Sequence, residues 1–400
     1  MAEDWRKGVS FSERLSQTSK IAAAYKSANA GCPSPEASSY AKSSEDTARK
    51  DALSLKEYHE LCAKTVQLLL SQAESRSPPP AEDQHIDEHV FPNLPNTGAR
   101  IGKYTNAEHF RDGLFSEIFR AADPDSTSDN GKSKVVALKI TTPDMEQPPH
   151  NSKREARILQ AAKGEHIVPL IETFQQAGGH LVLAFPYFPY DLNRLLHEQK
   201  LTPSSCRSIL RDIFSGLAHL HTLGLIHRDI KPSNILLSSI SGPACLADFG
   251  IAWSPTDPSS EPADEKILDV GTTSYRPPEL LFGKQSYGAK LDMWAAGCVA
   301  AQVVCLNGET LFDAGDLGSE LALIKSLFQT LGTPDLEVWP EAEHLPDWGK
   351  MNFTKYPAKT WEEILPDADE SARELVGALV VYESAWRLSA EDVLKHPFIQ

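Results

Sequence analysis

Between two apolar runs the chain reads LIHRDIKPSNILL (225–237), which sets Asp229, Lys231 and Asn234 two and three residues apart around Pro232. A solvated loop has no need of that order. Beside a phosphate group, each residue gains a task. Asp229 can accept or orient the proton of an attacking hydroxyl, Lys231 can neutralise a phosphoryl group in flight, and Asn234 offers an amide oxygen to a cation. Pro232 stiffens the turn that holds them. Downstream, LADFG (246–250) adds a second carboxylate, Asp248, after a short apolar stretch. Magnesium prefers hard oxygen ligands and needs few from protein, so one carboxylate and one amide make a sufficient set.

Elements must hold these groups in place, and the pattern after residue 96 supplies them. VVALKI (135–140) and LVLAFPYF (181–188) are short β-rich runs, and SKREARILQAA (152–162) between them has helical composition. CRSILRDIFSGLAHLHTLG (206–224) gathers Ile209, Leu210, Ile213, Phe214, Leu217 and Leu220 on one side and stops at Gly224. Strands first and helices later imply an α+β chain, a small β-rich lobe (96–185) joined to a larger helical lobe (186–400). Residues 1–95 form an extension with a Pro-rich linker, SRSPPPAEDQ (75–84). Within it, 54–74 is expected to be one amphipathic helix. Ser54 and Glu57 have capping-box spacing, and Leu55, Tyr58, Leu61, Cys62 and Leu69 share a face. That face is expected to dock on the chain's own main domain, the alternative being a partner protein.

The net charge of −16 over 400 residues argues against nucleic acid or an anionic membrane as main partner, since both demand basic patches. The start, MAEDWRKGVSFSERL, lacks the apolar core of a signal peptide. The apolar run 291–306 is short of the roughly 20 residues that span a bilayer. It also contains Asp292, so a buried helix is expected. The six cysteines show no CxxC pairing and no histidine at zinc spacing, which reads as reduced thiols. A cytoplasmic location, a nuclear one, or both, follows.

HRDxKxxN followed by DFG is the signature of eukaryotic protein kinases, and from about residue 100 onward the chain resembles that family. The resemblance implies ATP and Mg²⁺ as co-substrate and cofactor, with metal held by Asn234 and Asp248. It makes Lys139 of VVALKI the lysine that holds the α- and β-phosphates, and Glu155 its ion-pair partner. Phe185 would narrow the back of the adenine pocket. Pro186 would offer its carbonyl and Phe188 its N–H and carbonyl to the base, and Asp191 would complete the nucleotide contacts. A proline can still accept there, because only its N–H is missing. Asp229 and Lys231 become catalytic, and Thr272 tethers both. Asp292 would brace the catalytic loop, while Glu279 of YRPPELLFG (275–283) and Arg387 of WRLSAEDVLKHPF (386–398) would form a buried salt bridge.

TSYRPPELLFG, FQTLGTPDLEVWPE (328–341) and RLSAEDVLKHPF are most similar to cyclin-dependent kinases. Two departures stand out. The central apolar anchor of the cyclin-binding helix is Lys153, a charge that a buried contact would tolerate only if paired. The position of the activating phosphothreonine is Ile267, leaving Glu261, Asp264, Glu265 or Asp269 to supply fixed negative charge to Arg228. A kinase needing neither cyclin nor that phosphate resembles the monomeric fungal kinases that phosphorylate cyclin-dependent kinases on their activation loops. The resemblance implies a monomer whose protein substrate is a cyclin-dependent kinase. The alternatives are an ordinary cyclin-dependent or other proline-directed kinase, and a pseudokinase scaffold.

Those fungal relatives also have a degraded glycine loop, and here RDGLFSEI (111–118) sets Arg111, Gly113 and Ser116 at the three glycine positions, with Ile118 packing on adenine. Gly113 sits where the backbone comes nearest the β-phosphate and a Cβ would be most costly. Arg111 is either surface charge or a phosphate ligand. Pseudokinases usually lose one of the lysine, the catalytic aspartate or the metal aspartate. All three are present, which favours an active enzyme.

Overall fold

A computed structural model describes residues 17–18, 20–21, 24–25, 34–52, 54–74, 94, 97–127, 133–306, 308–315 and 318–400. The expected Pro-rich linker and Cys32 lie outside them. The chain divides into two compact units, Met1–Asp87 and Glu88–Gln400.

In the first unit, helix α1 (Ser34–Asp51) packs on helix α2 (Leu55–Glu74). Ser54 Oγ accepts the Glu57 N–H, so the predicted start of α2 is capped as its sequence indicates. Tyr58, Cys62 and Leu69 are buried, together with Ala41 and Ala48 of α1, whereas Leu55 is exposed. The α2 face is thus covered by a helix that sequence reading did not anticipate. The buried positions of α1 are small alanines, which give a faint periodic signal.

The second unit opens with an antiparallel sheet of six strands in the order β1-β2-β3-β4-β6-β5. Its members are β1 (Arg100–Ile101), β2 (Tyr104–Asp112), β3 (Ser116–Thr127), β4 (Ser133–Thr141), β5 (Glu172–Gln176) and β6 (His180–Pro186). VVALKI falls in β4, flanked on both sides, which suits its β-branched content. The SKREARIL stretch forms helix α3 (Ser152–Ala161), whose first turn is capped by the Asn151 side chain accepting from Arg154 N–H.

After β6 the chain becomes mainly helical. β7 (Tyr190–Asp191) leads into α4 (Leu192–His197), followed by α5 (Pro203–Thr222). α5 begins earlier than its apolar pattern suggests, because Thr202 as N-cap and Ser205 at N3 form a capping box around Pro203. All six predicted apolar residues of α5 are buried, and Gly224 adopts the left-handed φ of +74° just past its end. A three-stranded sheet joins β7 to β8 (Ile235–Leu237) and β9 (Ala244–Leu246). Antiparallel pairing of Ile235 with Leu246 brings Asn234 and Asp248 to one end of that hairpin. The apolar run 291–306 is helix α6 (Lys290–Cys305), buried nearly throughout. Among the described residues no helix is long and apolar enough to cross a membrane.

Glu279 and Arg387 meet in a bidentate pair at 2.7 and 2.6 Å, with side chains 2% and 0% exposed. Arg387 also donates to the carbonyls of Val381, Tyr382 and Lys290 and lies over the Trp294 ring. Arg387→Met strands the Glu279 carboxylate in an apolar setting. The expected cost is about 3–5 kcal/mol, read from the shift in urea midpoint. A loss under about 1 kcal/mol would mean that water reaches the orphaned acid.

Candidate active site

A cavity of about 690 Å³ lies between the six-stranded sheet and the helical lobe. Its upper wall carries Gly113, Ile118 and Lys139, its hinge side Phe185, Pro186 and Phe188, and its floor Asp229, Asn234 and Asp248. Strand alternation aims Ala137 and Lys139 to the same face, and both line the cavity. Ala137, Val168 and Leu236 were not anticipated as wall residues. Their signal was positional: Ala137 stands two residues before Lys139, and Leu236 two after Asn234.

Lys139 is the junction of the upper and lower walls. Its ammonium lies 2.8 and 2.9 Å from the two Glu155 oxygens and 2.8 Å from Asp248 Oδ1. Burial alone would pull its pKa down, but the carboxylates of Asp248 and Glu155 outweigh that and hold it above its ordinary value. Lys139 in turn keeps the Asp248 carboxyl well below the usual carboxylate range. Burial pushes Glu155 upward against the pull of the same lysine. Helix α3 is therefore seated inward, with its acid on the lysine.

Below, Asp229 is surrounded by donors. Its Oδ1 accepts the Thr272 N–H (3.0 Å) and Oγ–H (2.9 Å), and its Oδ2 accepts from Asn234 Nδ2 (2.9 Å) and lies 2.8 Å from Lys231 Nζ. Lys231 also donates to Thr272 Oγ1 at 2.8 Å, so Thr272 joins both residues. With Nδ2 of Asn234 committed to Asp229, its amide oxygen is the atom left for a cation, and Asp248 Oδ2 is the matching carboxylate oxygen. This donor pair suits magnesium, which would draw its other ligands from water and phosphate oxygens. Asp292, fully buried, accepts the N–H groups of His227 and Arg228 (both 2.9 Å) and braces the loop. Arg228 and Asp248 hold left-handed φ values of 72° and 63°, strain that packing around the site must maintain.

In the glycine-loop turn, the Gly113 N–H donates to Ser116 O at 2.7 Å, and a Cβ on Gly113 would come within 2.5 Å of Ser116 Oγ. The atom it would meet is a serine hydroxyl at the end of a rotatable side chain, with Ser116 O farther off at 3.5 Å. Arg111, its side chain half exposed, lines the cleft and pairs with Asp191 Oδ2 at 3.3 Å across its mouth. Asp191 does not line the cavity. Its Oδ1 caps α4 through the Arg194 N–H, and its other oxygen is taken by Arg111.

Of the acids proposed to face Arg228, Glu261 is the one that does so. The guanidinium donates to both its oxygens, at 3.1 and 3.0 Å, as well as to Tyr287 Oη and Ile251 O. Asp269 binds Arg276 instead, and Asp264 and Glu265 are exposed. Ile267 belongs to an apolar cluster with Trp253 and Tyr287, and its carbonyl accepts from Tyr287 Oη at 2.7 Å. Lys153 is exposed.

A family model described as "Protein kinase domain" matches residues 105–399. Serine/threonine-protein kinase csk1 of Schizosaccharomyces pombe is 37% identical over 295 residues, covering 73% of this chain and 93% of that protein. Cyclin-dependent kinase 20 of Danio rerio is 32% identical over 301 residues, 74% of this chain and 83% of the relative. The Homo sapiens protein of that name is 33% identical over 271 residues, 66% and 75% respectively. The chain therefore belongs to the protein kinase family, as a serine/threonine kinase of the cyclin-dependent kinase-like group.

Proposed function

We propose that this kinase phosphorylates the activation loop of cyclin-dependent kinases, acting as a single subunit without cyclin and without a phosphate on its own activation segment. The observation that carries the reading is the Arg228–Glu261 pair. A guanidinium that would otherwise need phosphate is satisfied by a carboxylate of the chain itself. The exposed, charged Lys153 fits a helix α3 that buries no partner there. We place the activity in the cytoplasm, the nucleus or both.

Kinases of this family use ATP and magnesium. In this reading the adenine lies between Ile118 and Leu236, against Phe185 and the backbone of Pro186 and Phe188. Lys139, fixed by Glu155, orients the α- and β-phosphates. Asp248 and the Asn234 amide oxygen would hold the metal, which would supply charge neutralisation at the phosphates. Asp229 accepts a hydrogen bond from the substrate Ser or Thr hydroxyl and aligns it, and Lys231 faces the charge spread over the transferring phosphoryl group. Thr272 keeps Asp229 and Lys231 in register. Such a site works by positioning and electrostatics rather than covalent chemistry.

One feature favours a second reading, a proline-directed kinase. Gly271 has φ +75°, and its carbonyl accepts from Arg276 Nε at 3.0 Å. A substrate N–H after the target residue would find that acceptor taken, and proline has no N–H to leave unpaired.

Asp229→Asn is expected to lower phosphorylation about a thousandfold with the urea midpoint unchanged; near-normal turnover would remove Asp229 from the chemistry. The purified chain is expected to phosphorylate an unphosphorylated cyclin-dependent kinase on its activation loop, with no cyclin added. Rapid turnover confined to a peptide with proline after the target serine would instead support the second reading. Glu261→Gln is expected to lower activity about tenfold. Burial pushes the Glu261 carboxyl up, but the Arg228 hydrogen bonds outweigh it and hold the pKa below the ordinary 4.5. The pair's contribution is therefore complete above that value and is lost only as pH falls below it. The ratio of wild-type to Glu261→Gln activity should stay flat from about pH 8 to about pH 5.5, whereas phosphate changes charge near pH 6. A ratio that collapses within that range would exclude a carboxylate anchor.

A further inference from the structure

Helix α3 carries Glu155 toward Lys139, and its other side is also held. Arg157 Nε donates to Asp257 Oδ2 at 2.6 Å, and Nη2 donates to Asp257 Oδ1 and Ser259 Oγ, each at 2.9 Å. Arg154, only 3% exposed, donates to the carbonyls of Ser259 (3.1 Å) and Pro149, and lies 3.9 Å from Glu261 Oε2. Residues two apart on a helix are separated by about 200°. Glu155 and Arg157 therefore pull on opposite sides of α3 and fix its rotation about its own axis.

The turn that receives these arginines is itself tied down. Asp257 Oδ1 accepts the Ser259 N–H at 2.9 Å, and its carbonyl accepts the Ser260 N–H at 3.0 Å. Ser260 Oγ accepts the Ser254 N–H at 3.1 Å, and Trp253 Nε1 donates to Glu261 O at 2.9 Å. The Asp257 side chain is only 6% exposed while that of Arg157 is 44% exposed, so the acid is shielded although the pair lies at the surface. The Arg157 hydrogen bonds hold the Asp257 carboxyl below its usual range. One short turn thus links α3, through Arg154 and Arg157, to the catalytic loop, through Glu261 and Arg228.

We propose that the turn 257–261 is an intrachain clasp that seats helix α3, taking the place of a partner subunit, with Arg157 and Asp257 as positioning residues for the Lys139–Glu155 pair. The proposal rests on the reading of that pair as the nucleotide-holding contact, and not on the identity of the protein substrate. Neither Arg157 nor Asp257 lines the cavity, so their effect on the reaction must pass through the helix.

The test is steady-state kinetics of the full chain with MgATP varied, using both an unphosphorylated cyclin-dependent kinase and a generic basic protein as phosphate acceptor. Arg157→Ala and Asp257→Ala are each expected to lower kcat/KM for MgATP about fivefold or more, mainly through a raised KM. The double variant should be no worse than either single one, and the exchanged pair Arg157→Asp with Asp257→Arg should recover at least half of the loss. A merely structural role would lower the urea midpoint while leaving the KM of the folded enzyme unchanged, and that result overturns the clasp, as do additive effects of the two alanine substitutions. If the wild type modifies only the generic protein yet the variants shift its KM for MgATP as expected, the clasp is supported and the proposed substrate falls. If the wild type binds no MgATP in calorimetry, clasp and nucleotide-site reading fall together.

Discussion

Arg228 has no solvent exposure on its side chain, and a buried guanidinium must have each N–H face an acceptor or it destabilises the fold by several kcal/mol. Its acceptors come from different parts of the chain: the Ile251 carbonyl just after the DFG stretch, the Tyr287 hydroxyl, and both oxygens of Glu261 in the activation segment. Its own backbone N–H is held by Asp292. Satisfying this one residue therefore fixes the catalytic loop, the start of the activation segment and the segment's midpoint relative to one another. The apolar cluster of Ile226, Trp253, Val270 and Tyr287 surrounds the same point and excludes water from it. With a carboxylate built in, the cation meets its counter-charge as soon as the chain folds, without a separate modification step.

The same logic extends upward to the cleft. Lys139 is shared by Glu155 and Asp248, so it is pulled toward α3 and toward the metal-binding acid at once. Below it, Asp229 is held by Thr272, Asn234 and Lys231, contributed by the catalytic loop and by the segment just before Tyr275. The Gly271 carbonyl, turned by its left-handed backbone onto Arg276, belongs to that segment too. A Cβ at Gly271 would come within 2.8 Å of Arg228 O, so the close approach of the two loops depends on a glycine at that position. Substrate-facing geometry and the Arg228 network are in this sense one construction.

The glycine-depleted loop has a local explanation as well. Between β2 and β3, Gly113 closes the turn through its N–H on Ser116 O, whereas Arg111 sits in strand β2 opposite Ile118. Its guanidinium reaches Asp191 across the cleft mouth. The charge that looked anomalous in the sequence thus links the upper lobe to the N-cap of α4.

Sequence alone determined the elements and the reactive set. The β-rich runs, the buried face of α5, and the HRDIKPSN and DFG segments are local patterns, legible because period and spacing act over a few residues. The resemblance to cyclin-dependent kinases put Ile267, which cannot carry a phosphate, at the position of their activating phosphothreonine and left several acids as possible substitutes. Only tertiary structure decided that Glu261 faces Arg228 while Asp269 faces Arg276, that Arg111 meets Asp191, and that Arg154 and Arg157 grip the turn at 257–261. Those partners lie 33, 7, 80 and, for Arg157 with Asp257, 100 residues apart. Which of several like charges wins such a contact depends on where folding brings the backbone. Carboxylates close together on one segment differ in that placement, from the 14% exposure of Glu261 to the 87% of Asp269, which no local pattern encodes.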